Sequence, residues 1–471
     1  MESARQKPVM YFGQHWYRMK AAVYLFMLLF ATPFCLLFTI GCWLFGKRTR
    51  QDQQIAEKLR QTVLVSGVAH TKGLHIAKTL GKAGHRVIVA DTEDFWCSAV
   101  QWSHFISKFY TVPNLNSYNG KEKYINGMIN VAKAENIDWY IPVSHTKTAV
   151  ADTIIKQRLA EVNPLIKCLV FDDPKLPTIL DSKVLFLKEC QELGLQVPYF
   201  KEVNSTSEVQ EMARKGLFSK GHYFLKPLMP YSEDRLNFTY IPSNAKEFDN
   251  YIACYERKVN SNNPYLIHQF ITGKEFAANA IVVNGYLQAF QVCPCSPMQI
   301  DYDVVQHPAI KRWVVEFCRA KQLTGCICFD FLEDEKTGEV YCIECNPRLH
   351  SAIVSYDMQP DLERAIRGAM DTRFQLEVPV EPSPSSTHVY WLYNEIAKVW
   401  LFQQGFGEFL QVLQNGKDGV LDASDPVPFF MFNHFQMPVM LIQAFISGKK
   451  WSITNYCLGQ LRMLKGISSC F

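Results

Sequence analysis

The longest apolar stretch of the chain lies near its start. From Ala21 to Gly46 it reads AAVYLFMLLFATPFCLLFTIGCWLFG, without one charged side chain. As a helix it would rise about 39 Å, at about 1.5 Å per residue, which exceeds the roughly 30 Å hydrocarbon layer of a bilayer. The pattern predicts a transmembrane helix over 21–46. It is too long for the core of a signal peptide, and no small-residue cleavage site follows it. Pro33 would kink it, which membrane helices tolerate. The alternative is a hairpin of two short helices dipping into one leaflet. Arg18 and Lys20 precede the stretch and Lys47, Arg48 and Arg50 follow it, so flanking charge leaves the orientation open.

After a polar linker ending at Gln61 the pattern changes to strand, turn, helix, strand. Thr62–Ser66 reads as a buried strand, Leu74–Lys82 has helical spacing, and Gly84–Asp91 supplies the next strand. This βαβ unit predicts a Rossmann-like, doubly wound parallel sheet over 62–180, with later strands near Asp138–Pro142 and Cys168–Phe171. Gly67 and Gly73 are separated by VAHTK and do not form the GxGxxG fingerprint, so they read as turn glycines and Asp91 is not a ribose ligand. The C-terminal edge of this sheet is left as a place for a small acceptor.

From Asp181 the elements mix. Asp181-Ser-Lys183 opens a helical run, Tyr223–Pro227 is a short strand holding Lys226, and Pro264–Ile271 and Phe276–Val283 are strands around a turn at Thr272–Glu275. Pro308–Lys321 is an amphipathic helix, followed by strands Gly325–Leu332 and Val340–Cys345. A Pro/Ser stretch over 378–386 marks a boundary. The divisions are therefore 1–61 for the tail, helix and linker, 62–180, 181–377, and a C-terminal apolar and aromatic extension over 378–471. Within that extension Pro428–Ile446 is interrupted by Asn433, His434, Gln436 and Pro438, which predicts a packed or interfacial segment rather than a second span.

Composition narrows the function classes. With 49 Lys+Arg against 45 Asp+Glu and no basic stripe interleaved with aromatics, a nucleic-acid partner is not expected. The 15 cysteines include Cys293-Pro-Cys295, Cys326-Ile-Cys328 and Cys342-x-x-Cys345, all on strand-like runs without the turns of a zinc knuckle; buried, reduced thiols on the cytosolic side are the expectation.

The chemistry concentrates on one hairpin. Asp330 lies on one strand, and Glu344 and Asn346, two apart and on one face, end the next. Magnesium takes a few carboxylate oxygens and completes its shell with phosphate and water, so Asp330, Glu344 and Asn346 are the candidate metal ligands. Arg348, on the same edge, suits a phosphate or carboxylate. Lys183 and Lys226 follow or end apolar runs, where an ammonium needs an anionic partner such as a triphosphate. The segment from His268 and Gln269 to Phe270 and Ile271 is placed to meet an adenine edge, and Glu275 a ribose. Every part of ATP·Mg then has a partner.

That ordered set, Lys183, Lys226, the hinge near Ile271, Glu275, Asp330 and Glu-x-Asn-x-Arg at 344–348, resembles the ATP-grasp superfamily, and the preceding βαβ domain resembles the Rossmann-like domain that superfamily carries. Met298-Gln-Ile-Asp-Tyr302, Cys345–Ile353, Gly416-Lys-Asp-Gly419 with Ser424-Asp-Pro-Val-Pro428, and Leu458-Gly-Gln-Leu461 are similar to the mycosporine-glycine synthase family. The resemblance implies an ATP-grasp fold with ATP and two magnesium ions as cofactors. Lys183 and Lys226 would hold phosphates and Arg348 would stabilise a phosphorylated intermediate. The implied reaction joins 4-deoxygadusol, a cyclohexenone acceptor, to glycine. The chain departs from the superfamily in having His268 and Gln269 where an acidic residue is common, and Met229–Arg235 in place of a glycine-rich phosphate loop, with Ser232 and Arg235 as substitutes. His350 and Ser351 are the candidates for acceptor binding.

Two other readings stay open: a membrane-anchored carboxylate–amine ligase working through an acyl phosphate on another acid and amine, and a non-catalytic nucleotide-binding membrane protein. In each case a single-pass chain with its catalytic domain in the cytoplasm is expected, because ATP and reduced thiols belong there, and tethering would place it near pathway enzymes.

Overall fold

Val63–Val65, Val87–Ala90 and Tyr140–Ile141 are apolar on both faces, and they become the middle of a parallel sheet covered on both sides. The computed structural model describes residues 8–46, 55–115, 117–143, 146–228, 239–295, 301–357, 359–383, 388–400, 402–448, 450–452 and 462–464. Ser232 and Arg235 lie outside the described residues, as do Met298 and Leu458–Leu461. The first sheet comprises β1 (Thr62–Ser66), β2 (Arg86–Thr92), β3 (Lys108–Val112), β4 (Trp139–Pro142) and β5 (Lys167–Cys168), all parallel in the order β3-β2-β1-β4-β5. This is a doubly wound sheet, as the spacing predicts. The glycines after β1 shape the turn into the following helix. Gly67 has φ of +75°, and a Cβ on Gly73 would lie 2.6 Å from the Val68 Cα. Asp91 closes the same turn, accepting hydrogen bonds from the Ala69 and Thr92 amides at 2.8 and 2.7 Å.

Two further sheets follow. The smaller has β6 (Phe200–Val203), β7 (Tyr223–Pro227) and β8 (Tyr265–Gln269), antiparallel in the order β6-β8-β7. Leu225 and Ile267 pack on Val209, Met212, Phe248 and Ile252 from the helices Thr206–Arg214 and Ala245–Ala253. Alternation then sends Phe224, Lys226, Leu266 and His268 to the opposite face. The larger sheet has β9 (Gly273–Val283), β10 (Tyr286–Pro294), β11 (Gly325–Asp334) and β12 (Val340–Asn346), antiparallel in the order β10-β9-β11-β12. Its outer face is aromatic: Phe329 and Phe331 meet Trp313 and Phe317 of the helix Pro308–Ala320, whose own rings stack at 5.5 Å.

One local expectation is corrected. Thr272–Glu275 is not a turn, because β9 already begins at Gly273, paired with Asp334, and Glu275 is a strand residue opposite Leu332. The glycine marks close strand approach rather than a bend: a Cβ at Gly273 would meet the Glu333 carbonyl at 1.8 Å.

The C-terminal extension is not a loose appendage. Its parallel pair, β13 (His388–Tyr390) and β14 (Gly416–Asp418), is joined to Tyr302 through Val389, with both amide bonds at 2.9 Å. Asp418 accepts amide bonds from Leu392, Val420 and Leu421, which fixes the loop after β14. Asp422 and Asp425 then reach the first domain. Lys78, on the helix Thr71–Lys82 and 0% exposed, lies 2.9 Å from Asp422 and 3.1 Å from Asp425. Lys82 adds a second pair with Asp422 at 2.8 Å, and Ser103 donates to Asp425 at 2.6 Å.

The segment 427–447 runs as a helix with a widened turn at Phe432–Gln436. Gln436 bonds the Ala99 amide and the Ala69 carbonyl, so this segment packs on the first domain as well as on the N-terminal helix. That helix spans Pro8–Phe45 and begins well before the expected Ala21. Ala21 and Leu28 pack on Leu441, Ala444 and Trp451, while Phe26, Phe30 and Leu37 are exposed. Both segments are long and apolar enough to cross a membrane by length and composition.

Removing Lys78 would leave two carboxylates in a buried site with their main cation gone. We expect Lys78→Met to cost about 3–5 kcal/mol in denaturant unfolding. Burial raises the pKa of Asp422, but Lys78 and Lys82 outweigh it and hold the carboxyl well below the usual range. A depressed folded pKa contributes stability that is full above the unfolded value near about 4 and is lost as pH falls through the folded value. The unfolding midpoint should drop between about pH 5 and about pH 2, less steeply in Asp422→Asn.

Candidate functional site

The inner face of the larger sheet inverts the chemistry of its outer face. Asp330 on β11 stands between Ala277 of β9 and Glu344 of β12 in the strand register, and the next inner position of β9 in one direction is Glu275, in the other Asn279. An irregularity after Asp330 shifts the register by one residue, so that Phe331 pairs with Cys342. Glu344 is level with Asp330 in the same register as Phe329–Cys345 and Cys328–Asn346, and the offset begins only beyond that pair. Three carboxylates are thus held on neighbouring strands of one face. Asp330 is half-buried, and Glu275 and Glu344 are exposed.

Their crowding is visible in their proton affinities. Burial, then the charges of Glu344 and Glu275, push the Asp330 carboxyl up to about 7, although Arg348 and Asn346 pull the other way. Burial and the Glu344 charge also raise Glu275. Such a set has surplus negative charge that a bound divalent cation would relieve. Among the described residues no three His, Cys, Asp or Glu side chains close on one point, so a magnesium ion here would take Asp330 and Glu344 plus oxygens from outside the chain. Asn346 donates to Asp330 at 3.0 Å and its oxygen accepts from Arg348 at 2.9 Å. The expected third ligand is therefore committed to bridging the acid and the base, and it must turn before its oxygen can bind metal.

The lysines arrive from the facing elements. Lys183 opens the helix Lys183–Glu192, whose first turn is capped by Ser182, and Lys226 lies on the inner face of β7. Both are half-buried. Both ammonium charges act on His268, which burial and Lys183 lower to about 3, so its ring is neutral. Lys183 also acts on Glu275. Lys183 thus lies within electrostatic reach of both His268 and Glu275, and Glu275 within reach of Asp330 and Glu344, while Lys226 is linked to the group through His268. The hinge is more occupied than the sequence suggests. The Gln269 and Phe270 amides are bonded to the Tyr199 and His222 carbonyls at 2.8 Å, so an adenine edge would have to use other groups there, such as Ile271.

Beyond Asn346 the chain turns into the first domain. The His350 amide donates to Asn279, and its Nδ1 accepts from the Ala352 amide at 3.2 Å, capping the turn Ser351–Tyr356. Burial, Arg348 and Lys72 lower His350 to about 3. Ser351 is buried beside it. Lys72 is a residue the sequence reading missed. It is 2% exposed, and its Nζ donates to the Leu349 carbonyl at 2.7 Å. Burial and the neighbouring Arg348 lower its pKa well below the ordinary lysine value. A signal existed: Lys72 stands in the first turn of a helix, where the macrodipole disfavours a cation, so another contact has to hold it there. The C-terminal edge of the first sheet is thus joined to the Arg348–His350 turn.

The thirteen cysteines in the described residues are free, and Cys293, Cys326, Cys328, Cys342 and Cys345 are buried.

No family model matches the chain, and no curated protein sequence does. Solved structures are similar at low identity. The N5-carboxyaminoimidazole synthetase of Staphylococcus aureus, complexed with ADP, is 12% identical, with 69% of this chain and 80% of that one covered and a TM-score of 0.47. The L-amino acid ligase of Bacillus licheniformis is 14% identical, covering 66% and 74%, at 0.44. The biotin carboxylase of Campylobacter jejuni, in a β-γ-ATP complex, is 14% identical, covering 71% and 75%, at 0.49.

Lys72 gives a test of the joint. We expect Lys72→Met, which keeps the length of the side chain, to raise amide hydrogen exchange in the turn Leu349–Tyr356 about tenfold by loosening it. Exchange raised equally throughout the chain would place Lys72 in general folding instead.

Proposed function

We propose that this chain is a membrane-anchored ATP-grasp ligase that uses ATP and magnesium to join an amine to an oxygen-bearing acceptor. The observation that carries the reading is the arrangement of charge: Asp330 paired with Glu344 on one sheet, Glu275 on the same face within reach of Lys183, and Lys183 and Lys226 both acting on His268. Carboxylates that hold a cation and ammonium groups that hold phosphates are what a transferring phosphoryl group needs, because its transition state spreads charge over several oxygens. Bound magnesium would neutralise phosphate charge against Asp330 and Glu344. Lys183 and Lys226 would orient the triphosphate. Arg348, with its guanidinium tied to Asn346, is placed to hold the acceptor oxygen or its phosphate ester. The buried turn at His350 and Ser351 would exclude water from that ester, and the neutral His350 ring can accept a hydrogen bond but brings no charge of its own.

The specific substrates are proposed from the sequence resemblance: 4-deoxygadusol as acceptor and glycine as amine, giving mycosporine-glycine, ADP and phosphate. Phosphorylation of an enol oxygen creates a leaving group far better than hydroxide, which the amine then displaces. The motif Cys345–Ile353, one of those that carry the resemblance, follows Glu344 directly and includes the turn against Lys72. Of the other resembling motifs, Gly416–Gly419 and Ser424–Pro428 support a structural role, since Asp418 and Asp425 are bonded into the extension and the first domain. The exposed apolar face of the helix Pro8–Phe45 supports anchoring in a membrane.

The purified chain with ATP, magnesium, glycine and 4-deoxygadusol should release ADP only when both substrates are present. Asp330→Asn should lower that rate by about 10²–10³-fold, the scale for losing one charge-stabilising group. Release with a different acid and amine, and none with this pair, would keep the ligase and discard the named substrates. No turnover with any pair, while ATP still binds, would point to a nucleotide-binding protein. In fractionated cells the chain should stay in the membrane pellet through an alkaline carbonate wash.

A further inference from the structure

An apolar cavity of about 410 Å³ lies between the N-terminal helix and the extension. Its volume is in the range that takes a small apolar ligand. The inner wall is buried and comes from Leu28 and Cys35 of the helix and Phe429 of the extension. The mouth is aromatic and exposed, with Phe30 at 65% and Trp400 at 63%. The exposed lip on the helix belongs to the same uncharged 21–46 stretch. A ligand therefore reaches the mouth from whatever apolar medium covers that face.

The lining holds a few polar groups: the hydroxyls of Tyr24 and Tyr393, the latter bonded to His434, and one side-chain amide. Asn394, on the helix Leu392–Trp400, is 7% exposed, borders the cavity, and has a buried side-chain amide nitrogen without a hydrogen-bond partner. A buried donor without an acceptor costs about 1–3 kcal/mol, so its retention against an apolar wall calls for an acceptor. Ordered water is one way to supply it, but a water needs two or more polar partners, and this lining is predominantly apolar.

We propose that the cavity binds an acyl chain of a bilayer glycerolipid, with the lipid's ester carbonyl accepting a hydrogen bond from Asn394. The chain fills the space behind Phe30, the carbonyl meets the Asn394 amide, and the headgroup stays outside. The proposal rests on the membrane anchoring proposed above but not on the ligase chemistry, since the lining holds none of the carboxylates or lysines assigned to ATP and magnesium.

The test uses the full chain in nanodiscs containing a phosphatidylcholine with a photoactivatable acyl chain, with crosslinked peptides mapped by mass spectrometry. Crosslinks should concentrate on the peptides holding Ala31 and Tyr393–Trp400. Ala31→Trp, which fills the cavity, should abolish them, and Asn394→Leu should reduce them about fivefold. Leu29→Trp, on the exposed face of the same helix but outside the cavity lining, should leave the pattern unchanged. The unfolding midpoint of each variant identifies misfolding. Labelling spread evenly along the helix and unaffected by Ala31→Trp in a folded protein would overturn the proposal. So would crosslinks that join two copies of the chain in place of lipid.

Discussion

Negative charge on neighbouring strands is the constraint around which the central region is organised. Asp330 and Glu344 occupy paired positions, with Glu275 further along the same face, and like charges at such spacing destabilise a sheet. The sheet holds them because its other face is a dense aromatic layer against the helix Pro308–Ala320, so the strands cannot spread to relieve the repulsion. Relief has to come from cations. Arg348, through Asn346, supplies a partial answer from the chain itself. Lys183, at the start of the helix Lys183–Glu192, adds a positive charge near Glu275. A fully neutralised cluster would be more stable and would have nothing left to bind.

Positioning that cluster demands that three units keep their places. The joints are buried polar contacts instead of large apolar interfaces alone. Lys72 ties the first sheet to the Arg348–His350 turn, and Lys78 ties it to the extension. Both lysines rise from one helix, six residues apart, so that helix reads out both the site and the extension. Burying an ammonium is costly and is offset only with good partners, which makes these joints specific in geometry: an apolar contact tolerates a slip of an ångström, and an ion pair between a buried lysine and two aspartates does not.

The sequence made the sheets legible because each repeats a simple pattern. Continuous apolar runs marked the parallel strands, and two short strands with Glu344 and Asn346 two apart marked the acidic face beside Asp330. The doubly wound topology and the facing positions of Asp330 and Glu344 followed from those patterns. What the sequence did not reveal is set by contacts distant along the chain. Lys72 meets Leu349 across 277 positions, and Lys78 meets Asp425 across 347; no local window contains either pair. The turn expected at Thr272–Glu275 failed for a related reason. Its glycine looks local, yet it serves the approach of Glu333 on another strand. Asn346 likewise reads as a ligand by spacing, and only the fold shows its amide already shared between Asp330 and Arg348.

The N-terminal helix and the site are also connected through packing. The His350 ring contacts Tyr302 edge-on at 5.5 Å, and Tyr302 contacts Trp391 in the same way at 5.8 Å. Trp391 immediately precedes the helix Leu392–Trp400, whose Tyr393 reaches His434, and His434 in turn meets Thr32 of the N-terminal helix. Aromatic rings at these separations are held by shape and have few alternative rotamers. Movement of the N-terminal helix against the extension would therefore reach Tyr302, which is also pinned through its backbone to Val389. Here the apolar helix is packed into the extension, and the extension is packed against the turn that borders the site, so that helix is part of what fixes the site's geometry.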